Sequence, residues 1–440
     1  MLSDTDEDRA SSSSMASTSE KNEHTNVIVK LLRTKDTGKD PGPPPDGGFI
    51  AWLQAILGHL VIFNTWGYIN SYGVFQSYYT EALDRPQSDI AWMGSVQIFF
   101  LFFIGTFSGR ATDAGWFKLS FLCGMIIQLV GLFTTSVATK YYQVFLAQGV
   151  AVGIGNGLMF CPSLSVVAPY FSKHRGFAIA VTATGSATGG LVYPAMVSRL
   201  LPQVGFPWTM RIVSFLTLAL HIPSILLFRP RLPPRRSGPL LDVQAFKEPP
   251  YVLFAIGMFL NFWGLYVTFF YLGTFARDEL GLSQSQGTDL LMVLNGIGTV
   301  ARLFPAFVAD RWLGVMNSLI PFALATAIVM YCWAAVDSVA GLYVFAVFYG
   351  IFAAGIQALF PSTVASLTTD LSKTGVRLGM VFSCVSFACL TGTPIAGALI
   401  QLNDGHYLYA QMFAGSSMIV GSILVMTARF KKCGLKMVKV

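Results

Sequence analysis

Charge is what this chain has least of. Lys, Arg, Asp and Glu make up 12% of its 440 residues, about half of what a soluble domain carries. Of those few, 15 fall within the first 48 positions. The remainder is too poor in charge to face water, which excludes a soluble enzyme. Cysteine is also scarce: of six, Cys123, Cys161, Cys332, Cys384 and Cys389 lie inside apolar runs and only Cys433 sits in a polar tail, so a secreted disulfide scaffold is excluded. There is no Gly-x-x-x-x-Gly-Lys loop, no His-Glu-x-x-His and no Cys-x-x-Cys, and His24, His59, His174, His221 and His406 are scattered. An ATP-driven pump and a metal enzyme therefore lack their parts, and no cofactor is called for. The formal charge of +7 does not point to nucleic acid, because the basic residues fall on one side of a membrane pattern.

What is present is apolar: 53% of the chain is hydrophobic and 14% aromatic. Residues 1–48 are polar, Ser-rich and broken by prolines, as expected of a disordered tail, and no apolar run before Phe49 could serve as a signal peptide. A helix of about 20 apolar residues crosses the ~30 Å hydrocarbon core. Run-and-break reading gives twelve spans, near 49–75, 90–109, 119–139, 141–168, 176–198, 212–228, 251–276, 288–309, 316–336, 340–367, 378–402 and 407–428. With both termini on one side, that side collects 23 Lys and Arg residues and the other only Arg85, Lys140, Arg199, Arg211 and Arg277. The positive-inside rule then makes both termini cytosolic in a multi-pass protein expected at the plasma membrane.

The Pro-rich stretch 229–250 is the one long polar interruption, dividing the spans into halves of six at 49–228 and 251–428, with 429–440 as a short tail. GRATD (Gly109 to Asp113) after span 2 is echoed by AFVADR (Ala306 to Arg311) after span 8, and Lys173 and Arg175 before span 5 by Lys373 and Arg377 before span 11. An all-α membrane protein of two pseudo-symmetric six-helix bundles, a secondary-transporter layout, is the fold these repeats predict.

Several segments then resemble a known family. PPDGGFIAW (Pro44 to Trp52), NSYGVF (Asn70 to Phe75), YFSKHRGFAIAVTATGSATGG before and within span 5, and VARLFPAFVADR (Val300 to Arg311) look like the monocarboxylate-porter branch of the major facilitator superfamily, in particular its fungal members. The similarity runs from Pro44 to the end of the spans.

Arg302 is the one Lys or Arg within the twelve spans. Near mid-membrane an Arg costs about 2.5–3.5 kcal/mol, so it must face a cavity or a partner unless it snorkels to the interface. The resemblance implies that it binds a substrate carboxylate, for which a guanidinium fork is suited. It also implies an acid four positions earlier and a Lys late in span 1, where this chain has Gly298 and Asn70. The titratable groups left for proton coupling are His59, Asp289 at the mouth of span 8 and Asp310 at its end. Phe360 falls where the family has a substrate-gating aromatic, and Tyr271 is a second candidate for the cavity wall; plain packing accounts for either equally well. Asn64, Gln97, Asn156, Asn261, Asn295 and Gln357 read as interhelical hydrogen-bonding groups. Gly105, Gly109, Arg110 and Asp113, with Asp310 and Arg311, match the superfamily's latch loop, in which charge pairs and helix ends hold the halves until they rock apart.

The expected function is alternating-access transport of a small organic anion, a monocarboxylate, across the bilayer with proton symport. An efflux carrier for a larger fungal metabolite is the alternative within the same class. A transporter-like sensor is the alternative outside it, disfavoured by the short C-terminal tail.

Overall fold

A computed structural model describes residues 42–234, 241–368 and 374–434. Most of the expected N-terminal tail, the middle of the 229–250 linker, Lys373 and the last six residues lie outside them. Every regular element among the described residues is helical. Among the described residues eleven helical segments are long and apolar enough to cross a membrane, and one of them, Arg175–Leu227, has 53 residues. At 1.5 Å per residue that is about 80 Å, more than two crossings. It is broken at Gly205 (φ 72°, ψ 169°), a backbone state that a Cβ disfavours. The chain folds back there, because the Tyr193 and Thr217 hydroxyls meet at 3.1 Å. The expected twelve crossings are thus present, the fifth and sixth joined without a loop.

The helices are α1 (48–82), α2 (Gln87–Asp113), α3 (Phe117–Thr135), α4 (Tyr141–Tyr170), α5 (175–204), α6 (206–227), α7 (Pro249–Asp278), α8 (Gln284–Leu313), α9 (Val315–Ala335), α10 (Val339–Leu367), α11 (Thr374–Leu402) and α12 (Leu408–Cys433). Local chemistry sets several ends. Ser283 and Gln286 form a capping box at the start of α8, Ser338 caps α10, and Pro249 opens α7 where a missing N–H is harmless. Ile56, Val130, Phe215, Val300, Phe304, Ile328 and Val420 point outward, an apolar belt suited to lipid tails.

Without a hydrophobic drive between helices in lipid, close backbone approach has to hold them together. Gly149, Gly153 and Gly157 of α4 face the α2 backbone at Met93, Gln97 and Phe100; Gly185 and Gly189 of α5 face α1 at His59, Phe63 and Gly67. The last six helices repeat the device, with Gly257 and Gly264 of α7 against Gly421 and Ala414 of α12. Polar cross-links add to it. In the first six helices Gln128 donates to the Asn64 carbonyl and to Asn156, His221 bonds Gln128 at 2.7 Å, and Tyr193 donates to Asn64 at 2.9 Å.

The two sets of six meet along α2 with α11 and α5 with α8. On the face away from the chain ends they are closed by Arg277 to Glu81 at 2.9 Å, by Ser95 to Thr393, and by Tyr72 against Phe270 with ring centres 4.7 Å apart. The face bearing the start of α1 and the end of α12, the terminal face, is held at its sides. There Thr106 donates to the Gly379 carbonyl at 2.8 Å, and Asp310 of α8 accepts the Phe177 N–H at the first turn of α5 at 3.1 Å. Behind the linker, Arg377 is clamped by Asp242 and by both oxygens of Glu248, which fixes the described end of the linker to α11.

Two sequence segments that looked unrelated turn out to touch. Asp46, from PPDGG, has φ 54°, and its carboxylate accepts the N–H groups of Ser172 and, at 2.8 Å, Lys173 in the loop before α5. Those donors, Ser172 first, hold the Asp46 carboxyl below the usual carboxylate range.

Candidate functional site

A central cavity, whose empty volume of about 530 Å³ includes space open to solvent, lies between the two sets of six helices. Its wall on α4, α5, α10 and α11 comes from the half of each helix nearer the terminal face, so the space lies on that side of the closed contacts around Tyr72 and Arg277. Helix periodicity decides which residues reach it. On α7, Phe262 and Tyr266 are four apart and share a face; on α10, Gln357, Phe360 and Pro361 do the same. Trp66 arrives from a π-helical stretch of α1, Phe63–Gly67, which re-aims the side chains of that turn.

Seven of the sixteen wall residues are aromatic, and the rings are shared between the halves. Trp66 stacks near Tyr266 with centres 5.9 Å apart, and Phe160 near Phe382 at 5.9 Å; Phe102 lies against both Phe262 and Phe382. Phe360 lines the cavity and packs on Phe262 and Phe382.

The exception to this apolar wall is Arg302. Only 2% of it is exposed. Its Nη1 donates to the carbonyl of Gly298 one turn back at 3.1 Å, and its Nη2 to Gln357 Oε1 at 2.6 Å. Among the described residues no carboxylate pairs with it. A buried cation with neutral partners alone lacks the compensation that such charges ordinarily need. The position thus offers a ready site for an anion.

The other residues expected at the site stand elsewhere. Asn70 is fully buried beside the cavity, its amide donating to the Ser186 carbonyl at 3.3 Å, and is not part of the wall. Tyr271 is five residues beyond Tyr266, about 140° around the helix, and its hydroxyl donates to the Thr393 carbonyl at 2.9 Å toward the closed face. His59 ties α1 to α5, one ring nitrogen 3.1 Å from both the Val181 carbonyl and the Thr184 hydroxyl, the other 3.1 Å from the Thr188 hydroxyl. Asp289 lies near the closed-face end of α8, and Asp310 at the terminal face on the α5 turn. In the expected latch, a Cβ on Gly105 would lie 2.7 Å from the Cys161 sulfur, while Gly109 is looser, 3.8 Å from the nearest atom. Arg110 and Asp113 lie at the terminal-face end of α2, and Arg311 at that of α8. Sequence reading gave Gln357 only as an interhelical hydrogen-bonding group and, beyond Phe360, passed over the ring wall; the i, i+4 pairing of aromatics on α7 is the signal that could have found part of it.

Two packed sets of six membrane helices around one central, charge-bearing cavity define a multi-pass membrane transporter. Residues 56–368 match the Major Facilitator Superfamily, and the chain belongs to it. It is 45% identical over 398 residues to an MFS-type transporter of Gibberella zeae, covering 90% of both chains. It is 37% identical over 390 residues to the aspyridones efflux protein of Emericella nidulans (88% of this chain, 79% of the relative). To the agnestins efflux protein of Paecilomyces divaricatus it is 35% identical over 398 residues (89% and 91%). In fold it is similar to the human organic anion transporter MFSD10, with a TM-score of 0.64 at 15% identity over 86% of this chain and 98% of that one.

Proposed function

We propose that this chain exports a small acidic metabolite from the cytosol by alternating access, its acid group on Arg302 and its apolar body against the ring wall. The observation that carries the reading is the buried guanidinium facing a ring-lined cavity with no carboxylate partner among the described residues. Two relatives whose names specify efflux of fungal metabolites support the direction, and they favour this reading over the monocarboxylate uptake that the sequence resemblance implied. With the terminal face cytosolic, the cavity is placed to load from inside.

Everted vesicles carrying the transporter test it. They are expected to take up a labelled bicyclic aromatic acid at least tenfold faster than its neutral primary amide, because the amide cannot neutralise Arg302. Equal uptake of acid and amide would overturn the anion role. Rapid uptake of lactate into right-side-out vesicles, with no export of the larger acid, would restore the monocarboxylate reading.

The orientation rests on the 23 to 5 distribution of basic residues. Tags at positions 1, 238 and 440 are expected to become accessible to antibody only after the plasma membrane is permeabilised. Labelling of any of them on intact cells would reverse the topology and with it the direction of export.

A further inference from the structure

Arg302 has five N–H groups and uses two on protein acceptors, the Gly298 carbonyl and Gln357 Oε1. A guanidinium only donates, so the Gln357 amide has to turn its oxygen toward it. That fixes the amide, and Nε2 is left buried in the cavity wall with no acceptor among the described residues. A buried N–H group without an acceptor is unfavourable, because its desolvation goes uncompensated. Covalent geometry sets this nitrogen beside the guanidinium, so two donors of different charge stand next to each other.

Gly298 keeps the arrangement cationic. A Cβ there would sit 3.0 Å from Arg302 Nη1, so any carboxylate introduced at that position would contact the guanidinium and cancel its charge. With glycine at 298 and an amide at 357, neither neighbour neutralises the arginine. The rest of the wall is uncharged and includes seven rings contributed by both halves, Trp66 and Tyr266 among them inclined by only 16°.

From this placement we infer that Gln357 is a second substrate-reading group, and that the site selects an aromatic acid with a further oxygen acceptor adjacent to its carboxylate. The inference rests on the acid-binding reading above. The carboxylate takes the free N–H groups of Arg302, the neighbouring oxygen takes Gln357 Nε2, and the ring system lies among the aromatics. Nothing is transferred covalently; the specificity comes from one additional hydrogen bond, which is fully desolvated once the cargo is in place.

Isothermal titration of the full-length protein in lipid nanodiscs, with three probes of one ring size, tests this. The probes are 2-naphthoate, 3-hydroxy-2-naphthoate and the neutral 2-naphthalenemethanol. The wild type is expected to bind the hydroxy acid on the order of tenfold tighter than 2-naphthoate, a factor matching one good hydrogen bond to a buried donor. Gln357→Met keeps the length and loses the amide, so the two acids should then bind within about twofold of each other. Gln357→Glu, nearly isosteric, places a carboxylate on the guanidinium and should lose both acids while retaining the alcohol. Alcohol binding reports an intact cavity in each variant, and Gln357→Glu carries the test where Gln357→Met fails to fold.

A preference for the hydroxy acid that survives in Gln357→Met would overturn the role of Gln357, as would equal binding of the two acids by the wild type. If neither acid exceeds the alcohol in the wild type, the acid-binding reading itself fails, and the two failures are told apart by that alcohol reference.

Discussion

Arg302→Ala is expected to abolish transport by a protein that still reaches the membrane, and Arg302→Lys to reduce it about ten- to hundred-fold. Lysine keeps the charge and loses the planar fork, along with the hydrogen bond to Gln357 Oε1. A charge-assisted hydrogen bond is worth about 1.5–3 kcal/mol, which converts to that range. Lysine would also be free to point away from Gln357, since the stem is flexible and nothing acidic holds it. The competing expectation, that a cation here merely reaches for the interface, predicts that Lys serves as well as Arg. Near-normal export by a correctly localised Arg302→Lys protein would decide for that competitor and remove Arg302 from the substrate's path.

A comparably large effect, of a different kind, is expected at the α1–α5 crossing. A Cβ on Gly189 would stand 2.5 Å from the Phe63 carbonyl oxygen and 2.8 Å from the Gly67 Cα, both backbone atoms that no rotamer change can move. Overpacking a core costs about 1–3 kcal/mol where side chains can yield, and here two helix backbones would have to separate. Gly189→Val should therefore yield little monodisperse protein by fluorescence-detected size exclusion. Gly296→Ala is the matched control in the same region, because its Cβ would meet nothing nearer than a Leu191 methyl at 3.9 Å. A Gly189→Val protein that elutes and melts like the wild type would show that the crossing tolerates separation.

The spans were legible because bilayer thickness writes itself into composition. Their ends were not. Span 2 was expected over 90–109, whereas α2 runs from Gln87 to Asp113, since hydropathy senses hydrocarbon and a helix continues through Asp89 and Arg110 into water. The reversal inside Arg175–Leu227 was read as a connection over 199–211, whereas it turns on Gly205 alone, with helix continuing to both sides of it. At the site, Arg302 stood out as a lone charge against an apolar background. Its partner, 55 positions away, did not, because Gln357 carries the same signal as Gln97 and Asn156, which serve elsewhere. Apart from Phe360, the ring wall was invisible for the opposite reason: 36 Phe, 16 Tyr and 8 Trp leave no contrast by which Phe160 or Phe382 could be singled out.

The first turn of α5 is approached by two carboxylates of different allegiance. Asp310 reaches it from α8, across the divide between the halves, while Asp46 binds the preceding loop from the entry to α1, on the same side of that divide. If transport proceeds by the proposed rocking of the halves, Asp310 would have to leave and the Phe177 N–H would pass to water, while Asp46, bonded within its own half, would travel with the loop and keep its last residues in register. The turn is thus never released as a whole, and the returning Asp310 meets a docking point that has not melted. Each transport cycle then begins from a preserved template, and closure needs no renucleation of the helix end.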